Sequence, residues 1–78
     1  MADSILVEKF MKNLSLVFET DTNSLTRETS LKDDLKISST KRLMIIADIA
    51  ELFGKEVPYE TIFKCLTIGD LLDLLDTL

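Results

Sequence analysis

Apolar residues recur at helical spacing in three stretches of the chain, and nowhere do they alternate at the period of a strand. Leu6, Phe10, Leu14 and Val17 follow one another at spacings of four, four and three, which is one face of an α-helix. With Asp3 or Ser4 able to cap it, this pattern predicts a first helix over about residues 4–18. The most apolar segment, Leu43 to Phe53, predicts a second helix with Ile45, Ile46, Ile49, Leu52 and Phe53 as its core face. It starts at Ser38 or Ser39 and stops at Gly54, the residue type favoured just past a helix end. Pro58 permits a new start, so Glu60 to Lys64 predicts a short helix. Thr67 and Asp70 form a T-x-x-D capping box ahead of Ile68, Leu71, Leu72, Leu75 and Leu78, the apolar face of a last helix.

Residues 20–38 are rich in Thr, Ser, Asp and Asn, which bond locally and favour turns over helix interiors. Leu31 and Leu35 interrupt that polarity and predict a loop ordered against the core. Within it, Ser30 followed by Asp33 can cap one helical turn. The expected fold is all-α: a small bundle of three main helices plus one short helix, with a long ordered loop between the first and second.

Length and charge narrow the function. Seventy-eight residues make one domain, 1–78, that buries only about 60% of its unfolded surface. A net charge of −5 argues against nucleic-acid and anionic-membrane surfaces, and favours basic patches on partner proteins. The lone Cys65 forms no internal disulfide and is expected to be a small buried apolar residue. Met1-Ala2-Asp3 begins with an acid, the charged pair Glu8-Lys9 interrupts the first apolar run, and no run is long enough to span a bilayer. These features predict a cytoplasmic, reduced protein.

Catalytic chemistry is missing from the sequence. Without histidine there is no Ser-His or Cys-His pair and no histidine metal site. There is no calcium loop, and two glycines cannot build a phosphate loop. No catalytic residue and no metal site is expected. Met1, Met11 and Met44 form no metal pattern; Met44 is expected to be exposed, and Tyr59 to pack near Pro58.

Attention therefore falls on Ser39, at the junction between an acidic loop and the second helix. One reading is a helix cap, worth roughly 1 kcal/mol. The other is covalent attachment of a group at an exposed hydroxyl beside free backbone N–H groups. The adjacent Ser38 lets both hold, one serine capping while the other is modified. Ser39, Leu43, Ala47 and Ala50 share a stripe offset from the core face, which a partner or lipid-like cargo can use if it is exposed.

The window Asp34-Leu35-Lys36-Ile37-Ser38-Ser39-Thr40 resembles the D-L-G-x-D-S-L signature of the acyl carrier protein family. Asp34, Leu35 and Ser39 match; Lys36 stands in for the glycine, Ser38 for the aspartate and Thr40 for the leucine. Phe53 followed by Val57-Pro58, and Leu66-Thr67-Ile68-Gly69-Asp70-Leu71 at the last helix, extend the resemblance over essentially the whole chain. The resemblance implies 4′-phosphopantetheine, delivered from coenzyme A to Ser39 by a phosphopantetheinyl transferase with Mg²⁺. The arm would carry acyl groups as thioesters for acyl-transferring or synthase enzymes. The chain would then be a monomeric carrier and not an enzyme, with neither nucleic acid nor membrane insertion. Thr40, Lys41, Leu43, Met44, Ala47 and Glu51 would be its partner-recognition residues. Lys41 and Arg42 fall where the family presents acids, which points to a specialised fatty-acid, lipid or polyketide-like pathway. An aminoacyl or peptidyl carrier, and an unmodified helical adapter, are the alternatives left open.

Overall fold

The computed structural model describes residues 3–78. Met1 and Ala2, the start of the expected 1–78 domain and of the stretch read for a leader, lie outside the described residues. Four α-helices follow in order: α1 (Ser4–Val17), α2 (Ser39–Phe53), α3 (Tyr59–Phe63) and α4 (Ile68–Asp76). A single 3₁₀ turn, Thr22–Ser24, lies in the long loop, and the described residues contain no strand beyond one isolated bridge between Ser30 and Thr67.

Each helix begins and ends for a local reason. Asp3 caps α1, its Oδ1 accepting from Ile5 N at 2.8 Å. Ser38 caps α2, and Gly54 closes that helix in the left-handed region with φ 66. Pro58 precedes α3 without any side-chain cap. Thr67 and Asp70 make the expected reciprocal capping box of α4.

The core takes Phe10 and Leu14 from α1, Ile45 and Ile49 from α2, Ile62 from α3, and Ile68, Leu71 and Leu75 from α4. Each buried side chain of this size contributes about 1.5–3 kcal/mol against the entropy of ordering the chain. Phe10 meets Phe53 edge-on at 6.5 Å, joining α1 to the end of α2. Leu78 departs from the expected apolar face of the last helix. α4 closes at Asp76, with Thr77 N and Leu78 N bonding back to Leu74 O and Leu75 O, so Leu78 lies past the helix and is exposed.

The long loop is ordered as expected and is bound to the start of α4. Leu31 N donates to Leu66 O at 2.9 Å, Ile68 N to Thr29 O at 3.0 Å, and Gly69 N to Arg27 O at 2.9 Å. Gly69 suits this approach, because a Cβ there would lie 3.0 Å from Arg27 O, close enough that the loop backbone would have to give by a few tenths of an ångström. The expected turn after Ser30 forms: Asp33 N donates to Ser30 Oγ at 3.0 Å, and Ser30 N donates to Asp34 Oδ2 at 2.8 Å. Leu31 is buried and Leu35 half-buried, so the turn is held from inside as well. This brings residues 36–39 to the head of α2 along a fixed path.

Candidate functional site

The two serines at the head of α2 have different positions. Ser38 is extended, with φ −117 and ψ 169, and its Oγ accepts from Lys41 N at 3.2 Å. Its carbonyl accepts from Arg42 N at 2.9 Å. Ser38 therefore acts as the cap. Ser39 is the first helical residue; it is exposed, and its hydroxyl makes no hydrogen bond among the described residues. Ser38 Oγ bonds the third helical N–H, so the N–H groups of Ser39 and Thr40 point out of the helix end without an intrahelical partner. An exposed hydroxyl beside open N–H groups at the positive end of a helix suits an attached anionic group.

The approach to Ser39 contains a strained residue. Lys36 takes φ 53, in the left-handed region that side chains other than glycine rarely adopt. Its place in the signature window is the glycine's place, which gives that glycine a conformational reason.

Beyond Ser39, the outward face of α2 presents Thr40, Leu43, Met44, Ala47, Ala50 and Glu51, all exposed. Leu43 is 56% exposed and Met44 45%, high values for large apolar side chains on a helix. The stripe from Ser39 through Leu43, Ala47 and Ala50 is thus at the surface. A groove of about 530 Å³ opens beside it, lined by Leu43, Ile46, Ala47, Ala50, Glu56, Val57 and Pro58. A second groove, about 620 Å³, runs along α1 past Val7 and Met11 to Thr22 and shares no residue with α2.

Lys41 departs from the expected recognition set. It lies roughly 160° around α2 from Ser39 and is half-buried, with its ammonium 5.4 Å from the centre of the Phe18 ring at the end of α1. Arg42 is held on the opposite flank. Its guanidinium stacks 4.8 Å from the centre of the Phe63 ring in α3, and Nη1 reaches Tyr59 Oη at 3.5 Å. Tyr59 and Phe63 are themselves 6.2 Å apart, so Tyr59 belongs to this cluster. Sequence alone placed two cations on the expected docking face; the fold holds both against aromatic rings at the flanks of α2.

Asp48 and Cys65 are each shifted by their surroundings. Burial, then the nearby Glu51, pushes the Asp48 carboxyl up. Burial, then Asp70, pushes the Cys65 thiol up, and its Sγ donates to Thr61 O at 3.5 Å. Cys65 is half-buried, less enclosed than expected, because it sits at the open end of α3. A thiol held protonated this way is a poor nucleophile. Among the described residues no group of three or more acids and cysteines converges to hold a metal, and no helix is long and apolar enough to cross a membrane.

The match to known proteins decides the family. The phosphopantetheine attachment site family matches residues 3–75. The chain belongs to it. Members of this family are carriers, substrates for other enzymes, and hold 4′-phosphopantetheine covalently. A curated relative, the acyl carrier protein of Lactobacillus acidophilus, is 29% identical over 70 residues, covering 90% of this chain and 88% of the relative. The head of α2 fits such a group: one serine caps, the other offers an unbonded hydroxyl, and the N–H groups of Ser39 and Thr40 have no intrahelical partner.

Proposed function

We propose that Ser39 is the attachment serine and that the chain, as a single carrier domain over 1–78, carries acyl groups. The observation that carries this reading is the division between the two serines: Ser38 is committed to the cap, and Ser39 is exposed with its hydroxyl unengaged. The open N–H groups of Ser39 and Thr40 would favour the phosphodiester, with the helix end adding its positive potential. The pantetheine arm supplies the thiol to which cargo is linked as a thioester. The chain's own role is to hold the attachment point rigidly and to present α2 to enzymes. A phosphopantetheinyl transferase would load it, and acyl-transferring or synthase enzymes would then use it.

The largely apolar groove along the stripe that begins at Ser39 favours an acyl cargo over an aminoacyl or peptidyl one, since Leu43, Ile46, Ala47, Ala50, Val57 and Pro58 line it beside the single charge of Glu56. A specialised lipid or polyketide-like pathway is favoured by the face of α2, where Glu51 is the one exposed acid. Enzymes that seek an acidic carrier surface would turn over this chain more slowly than its acidic relatives. The acidic net charge and single cysteine suit a cytoplasmic monomer.

Loading is tested by intact mass after incubation with coenzyme A, Mg²⁺ and a broad-specificity phosphopantetheinyl transferase. Wild type and Ser38→Ala are expected to gain one phosphopantetheine, and Ser39→Ala none. Ser38→Ala is also expected to lose about 1 kcal/mol of stability, the usual cost of removing a serine cap. No gain in the folded wild type would leave an unmodified adapter as the better reading.

A further inference from the structure

We infer that the enzymes acting at Ser39 recognise α2 by apolar contact with Met44 and Leu43, and that they present an uncharged apolar patch to it. The inference rests on Ser39 being the attachment serine. Whatever reacts at the Ser39 hydroxyl, or receives cargo from an arm rooted there, approaches the head of α2, and the outward strip begins at that residue. Thr40, Leu43, Met44 and Ala47, the next exposed residues along it, are all uncharged. Glu51 is the strip's one charge, and it lies three helical turns from Ser39.

The cations of α2 do not contribute to this face. Lys41 is half-buried against Phe18 and Arg42 half-buried against Phe63, so each faces an aromatic ring on a neighbouring element. Moving either onto a partner would break that cation–aromatic contact and expose ring surface. Asp48, the helix's other acid, is half-buried on the flank that also holds Lys41. Its carboxyl feels the charge of Glu51, so the two acids of α2 sit together in its second half, beyond the residues that follow Ser39. The first half of α2, from Ser39 to Ala47, therefore offers neither a negative surface to a basic enzyme nor a positive one to an acidic enzyme. What it offers is apolar area around Leu43 and Met44.

Recognition of this kind is insensitive to ionic strength, because salt screens charge pairs and leaves apolar contact in place. The test measures KM and kcat for loading of the full chain by the broad-specificity transferase, from about 0.05 to about 0.5 M NaCl, a range over which the Debye length falls severalfold. The expected result is a KM that changes less than about twofold with salt. It should rise about tenfold in Met44→Ser and in Leu43→Ser at unchanged kcat, the loss typical of a central apolar contact. Both side chains are exposed, so the variants should melt with the wild type. A KM that climbs steeply with salt, or one that follows Arg42→Gln and ignores Met44→Ser, overturns the inference while leaving Ser39 as the attachment site. Absence of any loading overturns the attachment reading, and the inference with it.

Discussion

Lys36 stands three residues before Ser39 with φ 53, and its backbone shows what a signature glycine is for. A residue with a Cβ in this region costs about 1–2 kcal/mol, part of which glycine gives back through its freer unfolded chain. Lys36→Gly should therefore stabilise the fold by about 0.5–1 kcal/mol, read as a higher denaturant midpoint at unchanged slope. Asp48 makes a second case. Its folded carboxyl is raised by burial and by Glu51, so the folded chain holds the proton more tightly than the unfolded chain. Stability from this group is present below the ordinary carboxylate pKa and is lost as pH rises through that value to the raised one. Asp48→Asn should therefore raise the melting temperature at pH 7 and have little effect at pH 3. An equal gain at both pH values would place the cause in packing. The roles of the two serines were only half legible: the signature register pointed to Ser39 for attachment, while either serine could have been the cap. The backbone separates them, because Ser38 is extended and accepts from Lys41 N.

Among the elements, α3 is the least secured. It is five residues long, has no side-chain cap, and buries Ile62 alone. Besides Ile62 in the core, it is tied to α2 by Arg42, which stacks on Phe63 and reaches Tyr59. Arg42→Ala should speed amide exchange at Lys64 and Cys65, whose N–H groups close the end of α3, about two- to fivefold, the loss of one cation–aromatic contact. Exchange in the middle of α1, around Phe10, should stay as it was. The helices themselves were legible because their apolar spacing and caps are local: Phe10 and Leu14, Ile45 and Ile49, and Thr67 with Asp70 all fell where the pattern put them. The two cation–aromatic contacts were not legible. They depend on which rings sit across from α2, and Phe18 and Phe63 are separated from Lys41 and Arg42 by intervening loops.

Across the whole molecule, the loop between α1 and α2 ties the head of α2 at Ser39 to the start of the last helix. Its backbone bonds to the start of α4 through Leu31, Thr29 and Arg27, and a Cβ at position 69 would crowd Arg27 O at 3.0 Å. Gly69→Ala should lower stability by about 1–3 kcal/mol through overpacking, although alanine is the better helix former. The sequence announced an ordered loop through Leu31 and Leu35 but gave no sign of its partner, since backbone pairing over such a separation leaves no periodic trace. The most direct test of the central claim lies in the short segment after Lys36. Trypsin should release Ile37-Ser38-Ser39-Thr40-Lys41 from the loaded protein, and fragmentation of that peptide by mass spectrometry can assign the modified hydroxyl. The account predicts phosphopantetheine on Ser39 alone. Its appearance on Ser38 or Thr40 would contradict the division of roles at the head of α2.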